Sequence, residues 1–333
     1  MKESSTERSR LVAEIIDLLQ KTDFNVSSRC TIKSTCFDLA ARRQKLLFLL
    51  KILVNIDSLQ KLHAIELKLL AKLLAASPLL VGQRCRRHEA IQDGVVYKRH
   101  GIPAVSLQTA RDLLVKGLFP LIYASRGGLY VKLNSELLRT VREASNLSLA
   151  ELAREIGVSR RTIYDYERGE MDASLETAIR LEKVLEIPIF PAIDFLKWDI
   201  EVEKLEKEHL PESLEKEVYE RFEEIGLDPI LLKTTPFDIF ALDSISPPPE
   251  MIFVNIMTAI DKGDETQSGK RLQSVKSVAA VTHSEPLYVT EDHSIEQPFP
   301  GVATLSIQEL EKIKEGKTLL REIRKKSKVI RNF

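Results

Sequence analysis

Long apolar runs are missing from this chain of 333 residues. No window of about 20 uninterrupted apolar residues occurs, so no membrane-spanning helix is expected. The first ten residues, MKESSTERSR, are charged and lack an apolar core, so they do not read as a secretory signal. Cysteine is scarce and odd in number, at Cys30, Cys36 and Cys85. That spacing suits neither a zinc motif nor a disulfide framework, and it reads as reduced thiols of a cytoplasmic protein. No metal and no other cofactor is expected. Net charge is absent as well, with 49 Lys and Arg against 49 Asp and Glu.

The zero hides a polarity. Residues 1–128 carry 21 Lys and Arg against 11 Asp and Glu; residues 129–190 carry 9 against 11; residues 191–333 carry 19 against 27. A basic first segment points either to nucleic acid or to attraction between basic and acidic parts, and both readings stay open. The hydrophobic fraction of 44% is that of a soluble globular protein, and the length allows two or three domains.

Residues 8–22 place Leu11, Ile15, Leu18 and Leu19 on one helical face. Strand-like runs follow at 30–33, 37–42 and 46–56. The last of these is nearly continuous in apolar residues, as a strand buried on both faces should be. A helix at 58–75, a strand at 78–82, short strands at 95–97 and 105–106, and a capped helix at 106–115 continue the alternation. Residues 1–128 therefore read as a small, basic α/β domain. Residues 125–128, SRGG, read as a linker.

Residues 129–190 read differently. Asn134 caps a helix over 135–144. Ser148 and Glu151 form a capping box that opens a second helix, with Leu149, Leu152, Ala153 and Ile156 at helical spacing. Gly157 ends it, because glycine accepts the positive φ of a helix terminus. Ser159 caps a third helix carrying Arg160, Arg161, Thr162, Tyr164 and Asp165, and Gly169 closes it. Ser174 caps a fourth helix that Pro188 stops. A further short helix is expected at 192–198. Helix, glycine turn, and helix with polar residues at its N-terminus is the helix-turn-helix arrangement.

Residues 191–333 begin with an acidic helical connector at 199–225 and end in a basic tail. Between them, the plan of the first domain recurs in the same order. Phe237-Asp238-Ile239-Phe240 echoes Phe37-Asp38-Leu39-Ala40, and 252–256 echoes 49–53; the second copy is read as having Asn255 where the first has Lys51. Residues 285–289 echo 77–81, and 301–306 echo 102–106. Pro247 to Pro249 fall in the expected hairpin loop.

Residues 132–187 resemble the lambda-repressor/Cro helix-turn-helix family. The resemblance rests on Leu152, Ala153, Gly157, Val158, Ser159, Thr162, Ile163, Tyr166, Glu167, Arg168 and Gly169 at the family spacing. It implies that the third helix enters the DNA major groove, with Arg160, Arg161 and Asp165 facing base edges. Arginine donates in pairs to guanine O6 and N7, so a guanine-containing half-site is the expectation. Tyr164 is expected on a thymine methyl or a phosphate. Ser148, Leu149, Ser159 and Thr162, at the two helix N-termini, complete the expected DNA-binding set. The resemblance also implies that Glu167 pairs with Arg142.

Asp38, followed thirteen residues later by Lys51, resembles the core of restriction-endonuclease-like nucleases, archaeal Holliday-junction resolvases among them. Those enzymes carry Asp, then Glu-x-Lys, to hold a divalent metal and position water. Here the Glu position falls on Leu49, so catalysis is not expected. The whole chain resembles archaeal helix-turn-helix transcriptional regulators. The expected architecture is α+β and multidomain. A central all-α helix-turn-helix bundle (129–190) lies between two non-catalytic α/β domains (1–128 and 191–333). The expected function is sequence-specific DNA binding in transcription regulation, as a homodimer on double-stranded DNA. Two alternatives stay open: a site-targeted metal-dependent nuclease using Asp38 and Lys51, and a protein-binding adaptor.

Overall fold

The computed structural model of the protein describes residues 2–30, 35–86, 89–203, 213–243, 255–261, 265–291 and 299–329. The chain opens with α1 (Lys2–Lys21), whose Leu11, Ile15, Leu18 and Leu19 are buried as the helical spacing predicts. Then come β1 (Asn25–Val26), β2 (Leu39–Arg43) and β3 (Leu46–Asn55). Cys30 is not in a strand, and Thr31 to Lys33 lie outside the described residues. Next are α2 (Lys61–Leu73), β4 (Ser77–Cys85), β5 (Glu89–Ala90), β6 (Val95–Arg99) and β7 (Ile102–Ser106). Ser106 then caps α3 (Leu107–Lys116) by accepting from the Thr109 N–H at 3.0 Å.

The expected linker at 125–128 is instead the tip of a hairpin between β8 (Ile122–Ser125) and β9 (Gly128–Val131). The helical segment follows as α4 (Ser135–Ala144), α5 (Leu149–Ile156) and α6 (Arg160–Glu167). A two-residue strand, β10 (Ala173–Ser174), precedes α7 (Leu175–Leu185). Helical periodicity does not announce β10, which pairs Ala173 with Val131 and Ser174 with Tyr130 on β9. The short helix expected at 192–198 is a single 3₁₀ turn at Phe195–Lys197.

The remainder comprises α8 (Leu214–Glu224), β11 (Leu227–Leu231), β12 (Ile239–Asp243), β13 (Asn255–Ile260) and α9 (Glu265–Thr282). It ends in β14 (Glu285–Thr290), β15 (Ala303–Ser306), α10 (Ile307–Glu311) and α11 (Gly316–Val329). Pro247 to Pro249 and residues 252–254 lie outside the described residues. No helix among the described residues is long and apolar enough to cross a membrane.

The chain condenses into two compact units, each discontinuous in sequence. The first holds residues 1–15, 53–59 and 79–199. In it β4 and β7 run parallel, β6 pairs antiparallel with β7 and parallel with β8, and β8–β9–β10 is antiparallel. The helices α4 to α7 share one core, in which Leu138, Leu152, Ile156, Ile163 and Leu181 are fully buried.

The second unit holds residues 16–52, 60–78 and 200–333. It contains the antiparallel set β1–β2–β3 and a five-stranded sheet ordered β11-β12-β13-β14-β15. Two of its hairpins carry the same three bonds. Asp38 donates its N–H to Leu50 O (2.7 Å), its Oδ2 accepts from Ile52 N–H (2.7 Å), and its carbonyl accepts from Cys30 N–H (3.0 Å). Asp238 donates to Thr258 O (2.8 Å), its Oδ2 accepts from Ile260 N–H (2.8 Å), and its carbonyl accepts from Leu232 N–H (2.9 Å). These bonds set Leu50 against Thr258 and Ile52 against Ile260. The place of Lys51 is therefore taken by Ala259, and the alignment with Asn255 is corrected. Apolar echoes alone cannot fix a strand register.

The two hairpins also meet. Cys36 N–H donates to Thr234 O at 2.6 Å. The buried Glu66 carboxylate of α2 accepts from Lys233 N–H (2.7 Å), Thr234 N–H (2.8 Å) and the Thr234 hydroxyl (2.5 Å). From the other side, Ser277 on α9 accepts from Ser28 N–H at 2.7 Å, and Arg42 on β2 donates to Val281 O at 2.6 Å. Each segment thus satisfies buried polar groups of the other.

Candidate nucleic-acid interface

The interface begins with two caps. Ser148 accepts from Glu151 N–H at 3.2 Å, and Glu151 reaches back to Ser148 N–H at 2.8 Å, so the capping box is complete. Those bonds hold the Glu151 carboxyl below the usual carboxylate range. Gly157, at φ +71°, turns the chain out of α5. Ser159 then accepts from Thr162 N–H at 3.1 Å, and the two hydroxyls lie 2.9 Å apart. Leu149 is half-buried against the bundle core and braces the start of α5. The exposed N-termini of α5 and α6 leave backbone N–H groups for anions.

Opposite faces of α6 divide the work. Ile163 and Tyr166 point into the core, and burial pushes the Tyr166 phenol up. Arg160, Arg161 and Tyr164 point out. Among the described residues, no hydrogen bond or ion pair engages the Arg160 guanidinium. Arg161 is pre-positioned: its Nε lies 2.9 Å from Asp165 Oδ1, and its guanidinium sits 5.0 Å from the centre of the Tyr164 ring. Asp165 itself is only 14% exposed in its side chain, so its carboxylate is turned toward Arg161. The Arg168 guanidinium lies 5.5 Å from the centre of the same ring and donates to the Tyr164 hydroxyl at 3.0 Å.

Arg142 and Glu167 come together as the resemblance implies, at 2.5 and 3.1 Å. Arg142 also donates to Leu147 O at 2.8 Å, tying α4, the turn before α5, and α6 into one block.

The hairpin β8–β9 belongs to the same unit and escaped the sequence reading. Its signal was available: Ile122-Tyr123 and Tyr130-Val131 flank a Gly-Gly pair, a hairpin pattern.

The nuclease-like corner lies in the second unit. Asp38 and Lys51 are both buried, and Lys51 Nζ lies 3.8 Å from Asp38 Oδ2 while donating to Thr35 O. The carboxylate is therefore already engaged by a cation and by Ile52 N–H. At Asp238 the cation is Arg271 of α9, which also donates to Pro236 O (2.9 Å) and Ile260 O (3.0 Å). Leu49 and Met257, two residues before the Lys51 position in each hairpin, are buried and apolar. These donors do not fit a divalent metal, which needs several oxygens. Among the described residues no group of three His, Cys, Asp or Glu is placed to hold a metal ion.

Fold and surface together define a multidomain protein that carries a helix-turn-helix module and a nuclease-like α/β domain. Residues 138–190 match the family described as Helix-turn-helix, and residues 8–120 match the PD-(D/E)XK superfamily domain. A protein of Thermococcus kodakarensis is 36% identical over 325 residues, covering 98% of this chain and 98% of its own. One of Pyrococcus horikoshii is 37% identical over 319 residues, covering 96% and 98%. Both are named as HTH-type transcriptional regulatory proteins. A solved restriction-modification controller protein of Aeromonas hydrophila is 34% identical, covering 16% of this chain and 80% of its own, with a TM-score of 0.16. The chain belongs to the family of HTH-type transcriptional regulatory proteins found in these archaea.

Proposed function

We propose that the protein is a sequence-specific DNA-binding transcriptional regulator that reads the major groove with α6. The observation that carries this is the outer face of α6. Arg160 is unengaged among the described residues, and Arg161 is held in place by Asp165 and Tyr164. Arg160 and Arg161 contact base edges, and Asp165 acts by positioning Arg161. Tyr164 packs against the groove wall. Ser148, Leu149, Ser159 and Thr162 set the phosphate contacts at the N-termini of α5 and α6. Selection of bound duplexes from a random pool tests this reading. A recurrent guanine-containing motif is the expected result, and recovery without enrichment contradicts it.

The protein acts as a homodimer on a two-fold site. Supporting this, Ile179 on α7 is 58% exposed and Leu121 before β8 is 41% exposed. They flank an apolar cavity of about 260 Å³ that Ile122, Val131, Ala178 and Phe190 also line. Apolar side chains grouped around such a depression suit a second copy.

The two α/β segments are copies of one ancestral domain and serve as scaffold, not as enzyme. The matched bonds of Asp38 and Asp238 support the duplication. The internal pairing of both carboxylates supports the loss of catalysis.

A further inference from the structure

The hairpin β8–β9 immediately precedes the helix-turn-helix segment and is built as a stiff ribbon. Tyr123 and Tyr130 stand directly opposite each other, with ring centres 6.0 Å apart and planes 29° from parallel. Such a cross-strand aromatic pair stiffens a two-stranded ribbon. The Tyr123 hydroxyl donates to Asp172 Oδ2 at 2.5 Å, and burial with that neighbouring carboxylate pushes the phenol up. Asp172 lies in the short segment that leaves α6. One residue later the chain pairs with β9, Ala173 against Val131. The segment after β9 runs close to the same exit: a Cβ on Gly169, at the end of α6, would sit 3.3 Å from Ser135 Oγ at the start of α4. The hairpin is thus anchored to the exit of α6 from both of its strands.

Its tip is shaped differently from its base. Residues 125–128, Ser-Arg-Gly-Gly, are all exposed. Gly127 and Gly128 have φ of +94° and +151°, and a Cβ on Gly128 would meet nothing within 4 Å. The tip is therefore a thin backbone turn carrying one long cation. Among the described residues, no hydrogen bond or ion pair engages the Arg126 guanidinium. An unpaired arginine on a slim, stiff ribbon matches one ligand well: the DNA minor groove. That groove is about 6 Å wide, too narrow for a helix but open to an arginine on a bare backbone. Its negative potential, greatest in narrow A·T tracts, attracts such a side chain.

We propose that β8–β9 is a wing, with Arg126 entering the minor groove beside the half-site that α6 reads. The proposal rests on the major-groove reading of α6. It adds a second determinant, a preference for A·T pairs in the flank, at positions α6 does not touch.

The test uses the full chain and duplexes bearing the selected motif with either A·T or G·C flanks, with affinity read by fluorescence anisotropy. The unaltered chain is expected to favour the A·T flank. Arg126→Ala is expected to bind the A·T-flanked duplex about tenfold more weakly, the loss for one hydrogen-bonded charged group. It should lose the flank preference and keep the α6 motif. Arg126→Lys, which keeps the charge but not the planar fork, should also lose the preference. Arg126→Ala binding both duplexes like the unaltered chain overturns the wing. So does an equal loss on both flanks, which marks a phosphate contact, or a flank preference fully retained by Arg126→Lys. An Arg160→Ala/Arg161→Ala chain run alongside separates the two readings. If that chain keeps the motif, the α6 reading fails whatever Arg126 does. If the unaltered chain binds neither duplex, both readings fall.

Discussion

Arg142 on α4 grips Glu167 near the end of α6, with Nε 2.5 Å from one carboxylate oxygen and Nη2 3.1 Å from the other. Both side chains are nine-tenths buried. The bond pushes the Arg142 guanidinium further up, so the arginine stays charged at all working pH. The pair fixes the pitch of α6 against the rest of the bundle, and so the direction in which Arg160 and Arg161 point.

Removing one partner leaves the other charged and desolvated. Glu167→Ala is therefore expected to destabilise the first unit by about 3 kcal/mol. Glu167→Gln, which keeps one hydrogen bond, should cost less. The single tryptophan, Trp198, donates to Gly101 O within that unit and reports its unfolding by fluorescence in urea. A midpoint unmoved by Glu167→Ala contradicts the role given to the pair.

The second unit should weaken in alkali. Burial pushes the Cys30 thiol from its ordinary 9.0 up to about 12, and Cys36 further up in the same direction. Above about pH 9 the unfolded thiols ionise while the folded ones stay neutral. The unfolded state then binds fewer protons, so stability falls as pH rises, by up to about 1.4 kcal/mol per pH unit for each thiol. Below pH 9 both states are protonated and the thiols add no slope. Urea midpoints between pH 8 and 11, read by circular dichroism, should fall less steeply in a Cys30→Ala/Cys36→Ala chain. Lysine and tyrosine titrations are common to both chains and cancel. Parallel curves contradict the assignment.

Charging the exposed apolar face of α7 should separate the copies. Ile179→Glu is expected to turn a dimer into a monomer in sedimentation at micromolar concentration. It should also weaken binding to a two-half-site duplex far more than to one half-site. A monomer before substitution, or a dimer after it, removes α7 from the interface.

Supercoiled plasmid with Mg²⁺ or Mn²⁺ should remain intact in the presence of the protein. Leu49 stands where hydrolysis needs a second carboxylate, and Asp38 is held by Lys51 and Ile52. Cutting that disappears in Asp38→Ala contradicts the scaffold reading.

The helix-turn-helix segment was legible because its signals are local. Ser148, Glu151, Gly157 and Ser159 act within one helical turn of themselves, and spacing alone reveals them. The hairpin tip reads as a linker because Ser125 to Gly128 has linker composition. The antiparallel pairing from Ile122–Val131 to Ser125–Gly128 makes the segment a ribbon. Asn255 reads against Lys51 in the sequence because apolar strands look alike when slid along one another. The bonds from Asp238 to Thr258 and Ile260 settle the register. The sharing of residues between segments was out of reach of any local pattern. Glu66 looks like one more surface charge on α2, yet it binds Lys233 and Thr234, more than 160 residues away.

Sequence reading by Arg160 and Arg161 of α6 is tested by selecting DNA from one random pool with the unaltered chain and with Arg161→Ala. The unaltered chain is expected to return a motif with a fixed guanine. In Arg161→Ala that position should relax while the others persist, with affinity for the original site lower by roughly 1–3 kcal/mol. The same motif at the same affinity from both chains contradicts it.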